Sequence, residues 1–474
     1  MKKTYNLILS TLLLMLISSS GCKKVIDEKI NIDPNKPADV PVSLLLSSTQ
    51  GALGFSLGSD LARFPSLWVQ SMAGLANQHL LYDNYQLLES DVNNMWFFNI
   101  YGGALENLKL LMDKGVSTKS PHYEGIAKIL MANALGVTTD LWGDVPYTQA
   151  FKGSEDLTPA YDTQAQIYST IQSLLTSAKA DLAVSFSAFE PGSDDLIYSG
   201  DLTKWTEAAN SLSARYWLHL SKVPGSNAYT NALTALAGAF TSNASNEMLY
   251  FGEASTNASP FFQFFIEGRP GDAGMGKVLI DQLNSTNDPR AAQIAADADA
   301  TDTIITYVGS AAGTGNGSAS NIGPFYGSKS SPVAFITYPE VKFIEAEAKF
   351  ATSDLAGAAT AYNQAVTASL VYFGVTADST FLATYVAETS GSITLDKIMT
   401  QKYVALFSQG YEQFTDWRRT GIPALTLAAQ PQTTEIPRRF PYPNSERLYN
   451  LANMTAAAGN QGGASLINRV WWDK

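Results

Sequence analysis

The sequence predicts a mainly α-helical protein that carries long irregular insertions and few short strands. Three observations support this fold class. Apolar residues recur at three- and four-residue spacing in segments distributed over most of the chain. Between these segments lie stretches rich in small and polar residues, chiefly 241–276 and 295–329. The 474 residues are 45% hydrophobic and 16% charged, which is sufficient for one sizeable core.

The first residues have the pattern of a bacterial lipoprotein signal. Lys2 and Lys3 precede an apolar run at 7–17, which is too short to span a bilayer as a finished helix. Small residues at 18–21 then lead directly to Cys22, the only cysteine. This pattern predicts a signal peptide at 1–21, which is removed so that Cys22 becomes the lipid anchor. Ordinary secretion, with Cys22 lost in the discarded peptide, is the alternative.

Residues 22–41 are predicted to be an extended tether. They are polar, and Pro34, Pro37 and Pro41 oppose helix formation. Fully extended, the roughly 19 residues after Cys22 would reach at most about 60 Å. The remaining residues, 42–474, are predicted to form a single helical domain.

Helical segments follow in order along this domain. One is predicted over 123–141, before Gly143 and Pro146 make continuation costly, and another over 163–182. Residues 339–351 and 355–370 form a predicted helix pair with small residues at the crossing, which is typical of a tetratricopeptide-type unit. Because no 34-residue period runs through the chain, we expect a helical scaffold with loops and not a regular solenoid.

Composition and motifs argue against several classes of function. A net charge of −12 disfavours nucleic-acid binding. One cysteine and three histidines do not form a zinc-ligand pattern, so no metal or other cofactor is predicted. The nucleophile elbow, zinc-protease, P-loop and dinucleotide motifs are absent. The protein is therefore predicted not to be an enzyme, although pairs such as Asp194 and Asp195 leave glycoside hydrolysis open.

Aromatic residues in polar surroundings are the candidate ligand-binding residues. Tyr82 and Tyr85 lie in QHLLYDNYQ, and Phe325 and Tyr326 lie in NIGPFYGS. Sugar rings stack on aromatic planes while polar groups bind their hydroxyls, which predicts a shallow ligand site at these four residues. The alternative is that they pin loops onto the scaffold. For residues 96–101 (WFFNIY), helical spacing favours core packing.

Several ordered motifs resemble one known family. They include the lead NIDPNKPADVP, the segment ALGVTTDLWGDVPYTQA at 134–150, the triplet Asp288-Pro289-Arg290, and the ending IPRRFPYPNSERLYN followed by VWWDK. These motifs run through most of the chain. In them the sequence resembles the SusD/RagB family, and within it the SusD-like nutrient-binding outer-membrane lipoproteins of Bacteroidetes.

The resemblance implies a fold of tetratricopeptide-like helix pairs and a lipid tether in the outer membrane, facing the cell exterior. It also implies a SusC-like TonB-dependent transporter as partner, over which the protein would act as a lid that delivers oligosaccharides. Binding loops differ between members, so Cys22 is the one functional residue transferred. A peptide-binding variant of the same importer, a tetratricopeptide-like interaction scaffold and a glycan-degrading enzyme remain alternatives.

Overall fold

The computed structural model describes residues 40–301 and 303–474, and helices dominate it. In the first half the α-helices are α1 (Val42–Leu57), α2 (Asp60–Trp68), α3 (Asn77–Asp83), α4 (Glu106–Ser117), α5 (Pro121–Trp142), α6 (Gln164–Leu182), α7 (Leu202–His219) and α8 (Ala228–Leu236). A π-helix, Met95–Leu105, precedes α4.

Short helices occupy the insertions of the second half, and longer ones form its scaffold. They are α9 (Pro260–Phe262), which runs into a π-turn (Gln263–Gly268), α10 (Lys277–Thr286), α11 (Ala291–Ile294), α12 (Pro324–Gly327), α13 (Tyr338–Ala351), α14 (Leu355–Tyr372), α15 (Ser379–Tyr385), α16 (Leu395–Ala405), α17 (Gly410–Thr420), α18 (Asn444–Tyr449) and α19 (Leu451–Asn460).

The described residues contain four strands of three or four residues, β1 (Met72–Gly74), β2 (Glu247–Leu249), β3 (Ala273–Met275) and β4 (Val333–Ile336). They form two separate antiparallel pairs. In one pair, Met72 lies opposite Met275, and in the other Leu249 lies opposite Val333. Each pair contains at least one strand from the insertion around 241–276, and so attaches that insertion to the helical body.

The predicted fold class is confirmed. The helices expected at 123–141 and 163–182 are α5 and α6, and the expected pair is α13 and α14, which pack against each other. The predicted signal peptide, Cys22 and nearly all of the tether lie outside the described residues. The first described helix begins at Val42.

Local sequence determines where the longest helices begin and end. Thr163 caps α6 in a reciprocal capping box with Gln166. Helix α5 ends at Gly143, whose φ of 88° favours glycine. A side chain there would also collide with Gln461, since a Cβ would lie 2.1 Å from its Oε1 atom. The Trp-Gly-Asp motif therefore ends α5 and allows the C-terminal segment to pack closely.

The core is centred on α5, which is buried along nearly its whole length. It packs against α4, α6 and α7. The contact with α7 depends on Gly136, because a Cβ at this position would lie 2.1 Å from the ring of Tyr216. The absence of a side chain lets the two helices approach closely.

A network of buried charges joins the core helices. His219 of α7 lies between two carboxylates, with Nδ1 3.0 Å from Asp140 of α5 and Nε2 3.0 Å from Glu412 of α17. Asp140 also accepts hydrogen bonds from the Tyr168 hydroxyl and from Trp472, whose Nε1 donates over 2.8 Å. One histidine therefore connects α5, α7, α17 and, through Asp140, the C-terminal segment.

Two arginines extend this network to the tetratricopeptide-like pair. Arg215 of α7 forms a two-bond ion pair with Glu340 of α13, at 2.5 and 2.6 Å. Arg419 of α17 pairs with Glu347 of α13 and with Asp416, at 2.7 and 2.6 Å. All of these side chains are almost fully buried, so their charges are compensated by each other and not by water.

None of the helices in residues 40–301 and 303–474 combines the length and apolar character needed to cross a bilayer.

Replacing His219 with Gln should lower stability in a pH-dependent way. Burial lowers the pKa of His219, but the facing carboxylates of Glu412 and Asp140 outweigh this and raise it to about 9. The folded-state pKa thus lies above the unfolded value. The charged His219 therefore contributes its full stabilisation below about pH 6.5, and this stabilisation is lost as the pH rises through about 9. Urea unfolding at several pH values measures the difference in unfolding free energy between the wild type and the variant. This difference should be about 3 kcal/mol larger at pH 6 than at pH 9.5.

His122→Gln is the matched control, since the Glu190 carboxylate that His122 faces is largely exposed. If the His219→Gln difference were the same at pH 6 and pH 9.5, the histidine would not be charged in the folded state.

Candidate functional site

An aromatic hollow of about 480 Å³ opens beside the π-helix at 95–105. Phe97, Phe98, Tyr101 and Phe151 line it, together with Pro146, Pro159 and the carboxylates Glu106 and Glu446. The volume lies within the range of small-molecule sites, which are mostly apolar with a few polar groups. We refer to this feature as the aromatic hollow.

The winding of the π-helix shapes this hollow. Bonds from residue i to i+5 place Phe97 beside Gly102 and Phe98 beside Gly103 in successive turns. A Cβ at Gly103 would lie 2.7 Å from the carbonyl oxygen of Phe98, so this winding requires the absence of a side chain there. The two glycines also leave space next to the rings. Short π-helical segments often occur at functional sites.

Phe97 and Phe98 are the most exposed rings of the hollow, at 54% and 62%. Their centroids lie 5.1 Å apart and their planes are nearly perpendicular. Trp96, by contrast, is buried against Trp142. The prediction that this segment packs into the core is therefore correct for Trp96 but wrong for the two phenylalanines, because the π-helix does not follow α-helical spacing.

The floor of the hollow is rigidly held. The ring of Tyr101 stacks on Phe151, with centroids 6.3 Å apart. Its hydroxyl donates to the Pro146 carbonyl over 2.8 Å, and burial raises its pKa well above the usual value. Tyr101 therefore remains neutral and fixed, and its ring presents an apolar surface to the hollow.

The Trp-Gly-Asp-Val-Pro-Tyr motif contributes one residue to the hollow. Pro146 lines the hollow, and the turn after it is held by Asp162. One oxygen of Asp162 accepts from the backbone N–H groups of Tyr147 and Thr148, at 2.9 and 2.8 Å. One of the motifs that resemble the family thus supports the site through its backbone.

The polar groups at the hollow are acidic. Glu446 accepts hydrogen bonds from Tyr161, over 2.7 Å, and from Asn450, over 3.1 Å, which fixes its carboxylate. Glu106, which also belongs to the lining, is exposed. Two carboxylates and no lysine or arginine in the lining favour a ligand that offers hydroxyl donors and disfavour an anion.

Two of the four aromatic residues predicted to bind ligand are core residues. Tyr85 and Tyr326 are each 1% exposed. The Tyr85 hydroxyl accepts a hydrogen bond from the backbone N–H of Ala428 over 2.9 Å, and the Tyr326 hydroxyl lies 3.1 Å from that of Tyr372. Neither ring presents a face to solvent, which contradicts the expectation of a shallow platform at these positions.

The other two predicted residues, Phe325 and Tyr82, lie in different surroundings. Phe325 is partly buried and packs on Tyr372 and Phe373, with centroid distances of 5.1 and 5.0 Å. Tyr82 is mostly buried and lines a separate polar pocket next to Arg63. The four residues do not form one surface: in the described part of the chain, no ring contact joins Tyr82 or Tyr85 to Phe325 or Tyr326.

The architecture defines a class, namely a helical protein built on tetratricopeptide-like pairs with insertions between them. Within this class, a family model described as "Starch-binding associating with outer membrane" matches residues 34–443. The match covers most of the chain, and the chain belongs to this SusD-like family. No curated protein matches it.

Solved structures agree on the fold. A chitin-binding protein is 24% identical, with a TM-score of 0.79 over 92% of this chain and 100% of its own. A chitin-binding SusD homolog from Flavobacterium johnsoniae is 23% identical, with a TM-score of 0.74 over 92% and 97%. A SusD/RagB family protein from Bacteroides thetaiotaomicron is 24% identical, with a TM-score of 0.73 over 92% and 99%. Identities this low relate the folds alone.

Replacing Tyr85 or Tyr326 with Ala should destabilise the protein by about 3–5 kcal/mol, because each change removes a fully buried ring and leaves a cavity. Thermal or urea unfolding measures this. Phe98→Ala is the control and should change stability by less than about 0.5 kcal/mol, since its ring is mostly exposed. Similar stability of all three variants would contradict the assignment of Tyr85 and Tyr326 to the core.

Proposed function

We propose that this protein is a lipid-anchored, non-enzymatic outer-membrane protein that binds an uncharged oligosaccharide in the aromatic hollow. In this proposal it faces the cell exterior and delivers the sugar to a TonB-dependent transporter. The observation that carries the proposal is the exposed Phe97–Phe98 pair above an aromatic floor. Membership of a family described as starch-binding and outer-membrane associated supports the class of ligand and the location.

The chemistry of the hollow matches that of a sugar. The C–H faces of a pyranose are apolar and stack on aromatic planes, while its hydroxyls donate hydrogen bonds. Phe97, Phe98 and the Tyr101–Phe151 floor offer the planes, and Glu446 and Glu106 offer acceptors. The names of two similar structures, both described as chitin-binding, make chitin oligosaccharides a reasonable first probe beside those of starch.

The proposed attachment to the membrane is inferred from the sequence of the first 41 residues. Acylation of Cys22 would anchor the protein, because each buried methylene contributes roughly 0.8 kcal/mol. The prolines of the predicted tether would keep the helical domain at a distance from the membrane.

Replacing Phe97 or Phe98 with Ala should weaken oligosaccharide binding by about 1–3 kcal/mol, because each ring is an exposed stacking anchor. Calorimetric titration with maltoheptaose and chitohexaose measures this. Phe186→Ala is the matched control, since Phe186 is similarly exposed but does not line the hollow. Equal affinities for wild type and a Phe97→Ala, Phe98→Ala double variant would reject the hollow as the site.

The transporter partnership predicts a stable complex. Affinity-tagged full-length protein, purified from gently solubilised native membranes, should recover a large TonB-dependent barrel protein in near-equal amount. Mass spectrometry identifies the partner, and a Cys22→Ser variant is the control for membrane attachment. Recovery of the protein alone, or with soluble proteins only, would favour the interaction scaffold.

A further inference from the structure

A group of exposed apolar side chains lies close to the point where the described part of the chain begins. It consists of Val116, Val184, Phe186 and Phe189, which are between 45% and 67% exposed. Exposed apolar side chains that gather in one place mark contacts with another protein or with a membrane. We refer to these four residues as the apolar patch.

Two backbone contacts bring the patch together at one end of the core helices. Val116 lies in the last turn of α4, and the other three residues lie in the loop that follows α6. In this loop, the Ala188 N–H donates to the carbonyl of Lys119, just after α4, over 2.9 Å. The Nε2 atom of His122, in the first turn of α5, lies 2.8 Å from the Val184 carbonyl. The loop is therefore fixed against the turn between α4 and α5.

The start of the described chain lies against the same patch. Val40 and Pro41 precede α1, and together with Phe189 they line a cavity of about 460 Å³. The Lys114 ammonium donates to the Val40 carbonyl over 2.6 Å, which holds this start against α4. The predicted tether, which begins at Cys22, therefore joins the helical domain beside the patch.

This position favours a lipid bilayer as the surface that covers the patch. A chain anchored at Cys22 lets Val40 move at most about 60 Å from the lipid. The part of the domain nearest the tether therefore meets the bilayer at the highest effective concentration. Surfaces that present Phe and other apolar side chains insert them about 5–10 Å deep at the boundary between headgroups and acyl chains.

The charges at the edge of the patch balance each other. The Glu190 carboxylate, next to Phe189, lies 2.5 Å from the His122 imidazole. Lys119, on the other side of the contact with the loop, is exposed and carries the opposite charge. Contact with lipid would therefore depend on apolar area and not on anionic headgroups, which attract clusters of basic residues.

The patch and the aromatic hollow lie at opposite ends of α5. This helix begins at Pro121, beside the patch, and ends at Trp142, shortly before Pro146 of the hollow. Its 22 residues span about 33 Å. A domain that rests on the patch would therefore direct the hollow away from the lipid, where it is open to ligand.

We propose that the apolar patch is a membrane-contact surface, on which the anchored protein rests with Phe186 and Phe189 inserted at the lipid headgroups. The proposal rests on the lipid anchor of the proposed function, and it adds an orientation of the domain on the bilayer. The extended tether lets the domain stand away from the membrane, and the patch gives it a resting position on the lipid.

A fluorescent probe on the patch tests this contact. Full-length lipoprotein with Phe186→Cys is labelled with an environment-sensitive fluorophore and placed in vesicles of phosphatidylcholine, an uncharged lipid. The emission should shift to shorter wavelength and be quenched by nitroxide groups on the lipid acyl chains, because the probe leaves water. Val371→Cys is the matched control and should show neither change, since Val371 is 64% exposed but lies on α14, outside the patch. The wild type checks that Cys22 is blocked by lipid and takes up no label.

Hydrogen exchange tests the same contact without a probe. On vesicles, the amides of residues 183–190 should exchange more slowly in the wild type than in a Phe186→Ser, Phe189→Ser double variant. The amides of residues 424–436 should exchange equally in both proteins. The double variant should melt at the wild-type temperature, because both rings are exposed. Equal exchange of residues 183–190 in the two proteins would contradict the proposal.

Flotation with the vesicles separates failure of this proposal from failure of the anchor. Protein that floats, but whose probe at position 186 behaves like the probe at position 371, would overturn the contact surface and retain the anchor. A shift to shorter wavelength without quenching would mean that another part of the protein, such as the tether, covers the patch, and would also overturn it. Protein that does not float would reject the anchor and the contact surface together.

Discussion

The fold depends on compensation of charge inside its core. His219, Arg215 and Arg419 are buried, and each would be costly without the carboxylates that face it. Those carboxylates come from different helices, so the ion pairs can form only when α5, α7, α13 and α17 have all assembled. Such pairs add little stability over well-packed apolar residues of the same volume, but removing one partner is costly, and the pairs penalise any other arrangement of the same helices. They specify how the tetratricopeptide-like pair sits against the central helix.

The aromatic hollow is separate from the buried ion pairs of this framework. Helix α5 carries Asp140 in the network and ends at the Trp-Gly-Asp motif, which leads directly to a wall of the hollow. Phe97 and Phe98 lie on the π-helix, outside the charged core. The hollow is thus held by rigid elements, while its exposed rings contribute little to the stability of those elements. This separation suits a surface that must bind ligands without altering its own packing.

Sequence reasoning predicted the scaffold well, because α5, α6, α13 and α14 have regular helical periods and recognisable ends. The proposed binding surface was harder to predict, since a π-helix has no familiar period; the doublet Gly102-Gly103 after the four aromatic residues of 96–101 was the available signal. An exposed Tyr85 was expected because Asp83 and Asn84 are polar. Both are in fact buried, and Asp83 accepts hydrogen bonds from the backbone of Gly74 and Gly313. Polar neighbours along the chain were therefore not evidence that Tyr85 is exposed to solvent in the folded protein.

The π-helix has a consequence for how such a site can change over generations. An α-helix turns about 100° per residue, so loss of one residue between Trp96 and Tyr101 would turn the preceding side chains by about that angle relative to the rest of the helix. Phe97 and Phe98 would leave the hollow together. Because the buried ion pairs lie on other helices, the framework would be largely spared. A single-residue insertion or deletion in this segment would therefore reshape the proposed site in one step while leaving the ion-paired framework in place.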